Sequence, residues 1–70
     1  MATKEEKFRM RIGINIKIGR KHRKMTQKQL CEKVGWAADS YLSEIENGKK
    51  SPSVYQLKKL EKALNWKIWF

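Results

Sequence analysis

The stretch TQKQLCEKVGWAADSYLSEIENGKK, residues 26–50, decides the fold. It opens with Thr26 and carries Gln29 three residues later, a pair in which each side chain caps a backbone amide of the other residue at the start of a helix. Apolar residues then recur at helical spacing until Gly35. Glycine commonly follows the last turn of a helix because it adopts left-handed backbone angles without strain. The pattern predicts a short helix that begins after Thr26.

A second short helix follows within the same stretch. It begins near Asp39 or Ser40, both of which are favourable residues at a helix start. Leu42 and Ile45 lie three residues apart and are its predicted buried pair, and the Asn-Gly dipeptide at 47–48 ends it. Two short helices across a turn that contains glycine are the signature of a helix-turn-helix motif.

Strand and helix patterns compete on the N-terminal side of this motif. Four isoleucines alternate over residues 12–18, which is typical of a strand. Phe8, Ile12 and Ile16 are four residues apart, in line with Arg20, which is typical of a helix. Periodicity alone leaves both structures open. Residues 1–6 are expected to be frayed.

The C-terminal side carries a further helix. Pro52 confirms a break after the motif, and Ser53 with Gln56 repeats the capping pattern. Apolar residues then follow at helical spacing as far as Leu64. Asn65 can end the helix, since asparagine tolerates the left-handed conformation.

The last five residues, 66–70, concentrate large apolar side chains. Their alternation is β-prone and allows a short C-terminal strand. A monomer of 70 residues would struggle to bury all of these side chains, and exposed apolar patches mark interfaces. The sequence therefore predicts a homodimer interface made by Trp66, Ile68, Trp69 and Phe70.

Composition restricts the class of protein. The 70 residues form one domain, 1–70, with 17 Lys and Arg against 7 Asp and Glu, a net charge of +10. No apolar run is long enough to span a membrane, and no signal-peptide core is present, so a cytoplasmic protein is expected. The single cysteine, Cys31, is expected to be a buried, inert thiol. Neither a metal-ligand pattern nor a catalytic constellation is recognisable, so no metal, no cofactor and no enzymatic activity are expected.

The positive charge is concentrated at the two ends of the chain. Residues 1–25 have a net charge of +7 and residues 49–70 have +5, whereas residues 26–48 have −2. Such an excess points to an anionic partner, with nucleic acid as the first candidate. The flanks then suit phosphate, and the mildly acidic motif between them must do something other than attract.

Residues typical of one known family are spread over about residues 8–65: Gly13, Ile16, Arg20, Thr26-Gln27, Leu30, Val34-Gly35, Leu42 to Lys49, Pro52-Ser53 and Leu57 to Leu64. On these residues the sequence resembles the phage-repressor helix-turn-helix family (the XRE or Cro-type group). One departure from the family pattern concerns the turn of the motif. Ten residues separate Gly35 from Glu46 where the family normally has nine, so the turn is one residue longer.

The resemblance implies an all-α fold, a compact bundle of four or five helices, and it resolves the isoleucine segment as helix. It implies a bacterial or phage-encoded transcriptional regulator of repressor type. Such a protein binds a palindromic operator in double-stranded DNA as a homodimer. The helix-turn-helix motif is then residues 26–47, and its second helix lies in the major groove.

The resemblance also assigns roles to residues. It pairs Arg20 with Glu46 in an ion pair that locks the motif. It exposes the second helix toward DNA except at Leu42 and Ile45, and the lysines that follow are expected to hold phosphate. The predicted DNA-binding residues are Thr26, Gln27, Lys28, Ala38, Asp39, Ser40, Tyr41, Ser43, Glu44, Asn47, Lys49 and Lys50.

Several of these residues keep two interpretations. Asp39 either caps the second helix or accepts a hydrogen bond from cytosine N4. Gln27 either approaches the DNA backbone or is simply solvated beside Thr26. Glu44 either reads cytosine or turns away from phosphate. Trp36 is expected to plug an apolar pocket of the lengthened turn.

The acidic residues on the predicted reading face keep a second function open. The same fold serves in protein-interaction modules of the antitoxin type, which bind a partner protein. Co-purification of a partner would separate the two functions.

Overall fold

A computed structural model describes residues 3–68 of the chain. Four helices follow one another: α1 Lys4–His22, α2 Gln27–Val34, α3 Ser40–Glu46 and α4 Val54–Leu64. Within residues 3–68 there is no strand, and the all-α prediction is confirmed. Residues 66–68 do not form the short C-terminal strand that their alternation allowed, and residues 69 and 70 lie outside the described range. No helix in the described part of the chain is both long and apolar enough to cross a membrane.

The alternating isoleucines belong to helix α1. Ile12 and Ile16 are 2% and 0% exposed, whereas Ile14 and Ile18 are 51% and 50% exposed. A strand would have placed all four on one face, so the period of four decides the structure.

The N-terminal prediction is wrong for residues 3–6. The Thr3 hydroxyl accepts from the amide of Glu6, and the Glu6 carboxylate accepts from the amide of Thr3. This reciprocal cap satisfies two amides that a frayed end would leave to water.

The other helix ends follow their sequence signals. Thr26 with Gln29, and Ser53 with Gln56, form the two reciprocal caps predicted for α2 and α4. Gly35 and Asn65 end these helices in the left-handed conformation, with φ of 83° and 49°. These ends are fixed by contacts within a few residues, which is why the sequence alone places them.

Two pairs of helices enclose the core. α1 packs mainly on α3, and α2 packs mainly on α4. α1 approaches α3 closely at Gly13, where a Cβ would run into the carbonyl oxygen of Ile45 and come within 2.6 Å of that of Glu46. The buried apolar side chains are Ile12, Ile16, Leu30, Cys31, Val34, Leu42, Ile45, Leu57, Leu60, Leu64 and Ile68.

The tail folds back on its own chain. Ile68 is 1% exposed, its amide donates to Oε2 of Glu61 at 3.0 Å, and its carbonyl accepts from Nδ2 of Asn15 at 3.3 Å. The ring of Trp66 packs over Gly19 and lies 5.1 Å from the ring of His22.

The predicted dimer interface is therefore wrong for Ile68, whose side chain is part of the monomer core. The ring of Trp66 is partly buried against the same core. The left-handed turn at Asn65 redirects the chain toward α1, which the apolar content of the tail could not reveal. Trp69 and Phe70 lie outside the described residues.

Candidate nucleic-acid interface

The lengthened turn between α2 and α3 is a compact, packed segment. The amide of Trp36 donates to the carbonyl of Cys31 at 2.8 Å, directly after the left-handed Gly35. The Trp36 ring meets the Tyr41 ring edge-on at 5.1 Å and packs against the core. The prediction that Trp36 plugs the turn is confirmed, and the additional residue is absorbed before α3 begins.

A buried ion pair joins the first helix to the end of α3, as the resemblance implied. Arg20 donates from Nε to Oε2 of Glu46 at 2.8 Å and from Nη2 to Oε1 at 3.0 Å. The two side chains are 10% and 2% exposed. Arg20 also donates from Nη1 to the carbonyl of Met25 at 2.8 Å, which holds the entry to α2. A two-pronged contact of this kind fixes orientation as well as distance.

The side chain of Gln27 completes this network. Its Nε2 donates to Oε1 of Glu46 at 3.1 Å, and the side chain is partly buried. This position of the carboxamide contradicts the simple solvation that was one of the two predicted alternatives, and the contact to the DNA backbone stays a prediction. Gln27 instead ties the first residue of α2 to the last residue of α3. Thr26 beside it uses its hydroxyl to cap α2, and Lys28 is exposed.

Helix α3 presents one buried face and one open face. Leu42 and Ile45 are fully buried, as predicted. Ser43 and Glu44 are half-buried. The predicted DNA-binding positions Ala38, Asp39, Ser40 and Asn47, on α3 or at its ends, are exposed.

Asp39 occupies the residue before α3 without capping it. Its backbone has helical angles, φ −82° and ψ −10°, and its side chain makes no capping hydrogen bond. The carboxylates and hydroxyls that do cap helices sit on extended backbone, as Thr26 and Ser53 do with ψ of 165°. The capping interpretation of Asp39 is therefore wrong, and its exposed carboxylate is free of that structural duty.

Replacing Asp39 with alanine is expected to change the free energy of unfolding by less than about 0.5 kcal/mol. Thr26→Ala and Ser53→Ala, which remove real caps, are expected to cost about 1 kcal/mol each. Urea unfolding followed by helical circular dichroism compares the three variants. A loss for Asp39→Ala equal to that of Thr26→Ala would contradict the assignment.

Tyr41, predicted to contact DNA, is half-buried and uses its hydroxyl within the protein, and its contact to DNA stays a prediction. Its hydroxyl donates to Oε1 of Gln56 at 2.8 Å, and the same oxygen accepts from the amide of Ser53 at 3.0 Å. One carboxamide thus serves the cap of α4 and the position of α3. Nothing local in the sequence signals this pairing, because the partners are 15 residues apart.

Two lysines follow α3 at the edge of its open face. Lys50 places Nζ 3.6 Å from Oε1 of Glu44 and 5.6 Å from the centre of the Tyr41 ring. The amide of Lys49 donates to the carbonyl of Glu44 at 2.9 Å, so the loop curls back against the helix end. Both lysines are exposed, and an exposed pair such as Lys50 with Glu44 is weak enough to yield to a phosphate.

The loop is also held from α1. Nε of Arg9 donates to the carbonyl of Gly48 at 3.3 Å, and Gly48 is packed against Met10 in the left-handed conformation. Sequence reasoning missed Arg9, since the contact spans 39 residues. Together with the ion pair, it fixes the loop lysines relative to α3.

The buried thiol behaves as expected for a core side chain. Cys31 is 3% exposed and its Sγ lies 3.7 Å from the carbonyl of Ala38. Burial raises the pKa of this thiol above its ordinary value, and the charges of Asp39 and Glu46 raise it further. In the described part of the chain, no group of three His, Cys, Asp or Glu residues is placed to hold a metal ion.

Alkylation of Cys31 by iodoacetamide at pH 8 is expected to be slow in the folded protein and fast in guanidinium. Because the folded state keeps a proton that the unfolded thiol loses, stability should fall as pH rises above the ordinary thiol pKa. Mass spectrometry of the alkylated fraction measures the protection. Equal rates in the folded and unfolded protein would contradict it.

The comparisons with known proteins agree with this geometry. Residues 16–67 match a family model described as helix-turn-helix. The chain is also similar to the immunity repressor protein of Bacillus phage phi105, with 41% identity over 59 residues. That match covers 84% of this chain and 40% of the phage protein, so the chain spans less than half of that relative's length.

Proposed function

Since the chain belongs to the helix-turn-helix family of DNA-binding regulators, we propose that it is a cytoplasmic, repressor-like regulator that recognises a specific operator in double-stranded DNA. In this proposal α3 lies in the major groove and its first turn meets base edges. The protein binds as a homodimer on a palindromic site, so that two copies of α3 reach successive major-groove faces.

The observation that carries the proposal is the network around Glu46. It joins α1, the first residue of α2 and the last residue of α3 through Arg20 and Gln27. A helix that reads bases must keep one orientation relative to the elements that rest on phosphate, and this network supplies that constraint. The exposed positions on α3 and at its C-terminal end then present the small polar side chains of Ser40 and Asn47.

The charges around α3 support a division between attraction and reading. Lys28 within the motif and Lys49 and Lys50 directly after it are exposed and suit phosphate oxygens. Asp39 and Glu44 add nothing to the attraction, but their carboxylates can accept from cytosine N4. Because the Asp39 side chain does not cap α3, it is available for such a contact with a base.

Selection from a random duplex pool tests the proposal. We expect a recovered palindrome whose half-sites lie about one helical turn apart, about 10 base pairs. Light scattering after size exclusion should show a dimer on that duplex. Recovery of no preferred sequence would overturn operator recognition, and a single bound copy on a single half-site would overturn the homodimer.

Lysine variants separate phosphate contact from base contact. Lys49→Ala is expected to weaken binding to all duplexes alike and to reduce the slope of log K against log salt by about 1. Lys17→Ala removes the same charge from an exposed position on α1 and serves as the matched control. Equal slopes for the two variants would exclude a phosphate contact at Lys49.

A further inference from the structure

A basic groove lies between α2 and α4. It is open to solvent, has a volume of about 640 Å³, and is bordered by Lys33, Lys58, Lys59 and Lys62. Among the described residues that line it, none is acidic. Four lysines around one depression give it a positive charge that favours a negatively charged ligand.

The floor and lip of this groove are apolar. Val34 and Ala63 line it and belong to the packed interior or its edge. Tyr55 stands at the lip with 70% of its surface exposed, and Nζ of Lys59 lies 5.1 Å from the centre of its ring. An aromatic ring left open beside an apolar floor is typical of a binding surface.

The groove is separate from the candidate nucleic-acid interface. No described residue of α3 lines it. On α2 it uses Lys33 and Val34, at the opposite end of the helix from Gln27, a separation of about 9 Å along the axis. A ligand in the groove can therefore be present while α3 contacts DNA.

We propose that this groove binds an acidic polypeptide segment of a partner protein. The carboxylates of the segment meet the four lysines, and one of its apolar or aromatic side chains packs on Tyr55 and the floor of Val34 and Ala63. A peptide fits better than a second stretch of duplex, because a phosphate backbone offers no apolar group to cover that floor. The proposal does not rest on the operator recognition described above.

A labelled peptide tests the charge requirement. The probe is a short fluorescein-labelled chain of Glu and Asp with one central Phe, titrated by fluorescence anisotropy at fixed salt. The double variant Lys58→Glu with Lys62→Glu is expected to weaken binding by about tenfold or more. The matched control is Lys17→Glu with Lys21→Glu, which makes the same change of net charge on exposed residues of α1. Equal losses in the two variants would overturn the groove as the site.

A second pair of measurements tests the apolar part. A probe with Ser in place of Phe should bind more weakly to the unchanged protein, and Tyr55→Ala should abolish that difference. Circular dichroism establishes that each variant is folded. If the groove variant instead loses duplex binding more than the α1 control and keeps peptide binding, the groove is a nucleic-acid surface and the proposal is wrong.

Discussion

Arg20→Met is expected to lower the free energy of unfolding by about 3–5 kcal/mol, enough to unfold most of the protein at room temperature. The substitution leaves the Glu46 carboxylate buried with Gln27 as its remaining partner from this network, and it leaves the carbonyl of Met25 without its donor. An uncompensated buried charge is among the costliest changes a core can suffer. Urea unfolding followed by helical circular dichroism measures the loss.

Two control variants show whether the loss of unfolding free energy in Arg20→Met comes from the buried charge of Glu46. Lys50→Met breaks the exposed pair with Glu44 and is expected to cost less than about 1 kcal/mol. Arg20→Met combined with Glu46→Leu removes both charges, so the double variant should be more stable than Arg20→Met alone. A cost for Arg20→Met as small as that for Lys50→Met would contradict the role given to the pair.

Gly13→Ala is expected to destabilise the fold by about 2 kcal/mol or more, although alanine is the better helix former. Helix propensity alone predicts a gain of up to about 1 kcal/mol at this position in α1. The sign reverses because the new Cβ would meet backbone carbonyl oxygens of Ile45 and Glu46, which move only if α3 moves. Thermal unfolding gives the sign directly.

Gly19→Ala is the matched control on the same helix. Its Cβ would come within 2.5 Å of the Trp66 ring, a side chain that is partly buried and can turn aside. We therefore expect a smaller loss than at Gly13. A melting temperature for Gly13→Ala at or above that of the unchanged protein would refute the close approach of α1 to α3. If Gly13→Ala lowers the melting temperature as expected, the variant should also bind duplex DNA more weakly, because α3 is displaced.

The parts of the fold that sequence predicts correctly are those set by near neighbours. The caps at Thr26 and Ser53, and the ends at Gly35 and Asn65, each depend on residues within one turn. The spacing of the isoleucines over residues 12–18 fits both a strand and a helix, and only the family resemblance predicts a helix. Burial of Ile12 and Ile16 on the inner face of α1 agrees with that choice.

The errors concern contacts between residues far apart in the chain. The Gln27 side chain donates a hydrogen bond to Glu46, 19 residues away, and the Tyr41 hydroxyl donates one to Gln56, 15 residues away. Asp39 has the right residue type for a cap, but its backbone angles are helical and its side chain makes no capping hydrogen bond. Composition, period and capping rules contain no information about such pairs.

The tail shows how an apolar count misleads. The sequence argument assumed that each apolar side chain of the tail needed a partner surface outside the monomer. Gly19 provides a flat place for the Trp66 ring, and Asn65 turns the chain so that Ile68 enters a core already formed by α1 and α4. A homodimer therefore needs a surface other than Ile68.

The residues that hold α3 in place differ from those that are exposed on it and at its two ends, and under the proposed function this separation bears on how such a protein can evolve. Leu42, Ile45 and Glu46 hold the helix, while Ser40 and Asn47 face outward. Asp39 is equally unencumbered, since it caps nothing. Under the proposed function, substitutions at the exposed positions change which operator is recognised without destabilising the fold, so a lineage could change its target sequence through viable intermediates.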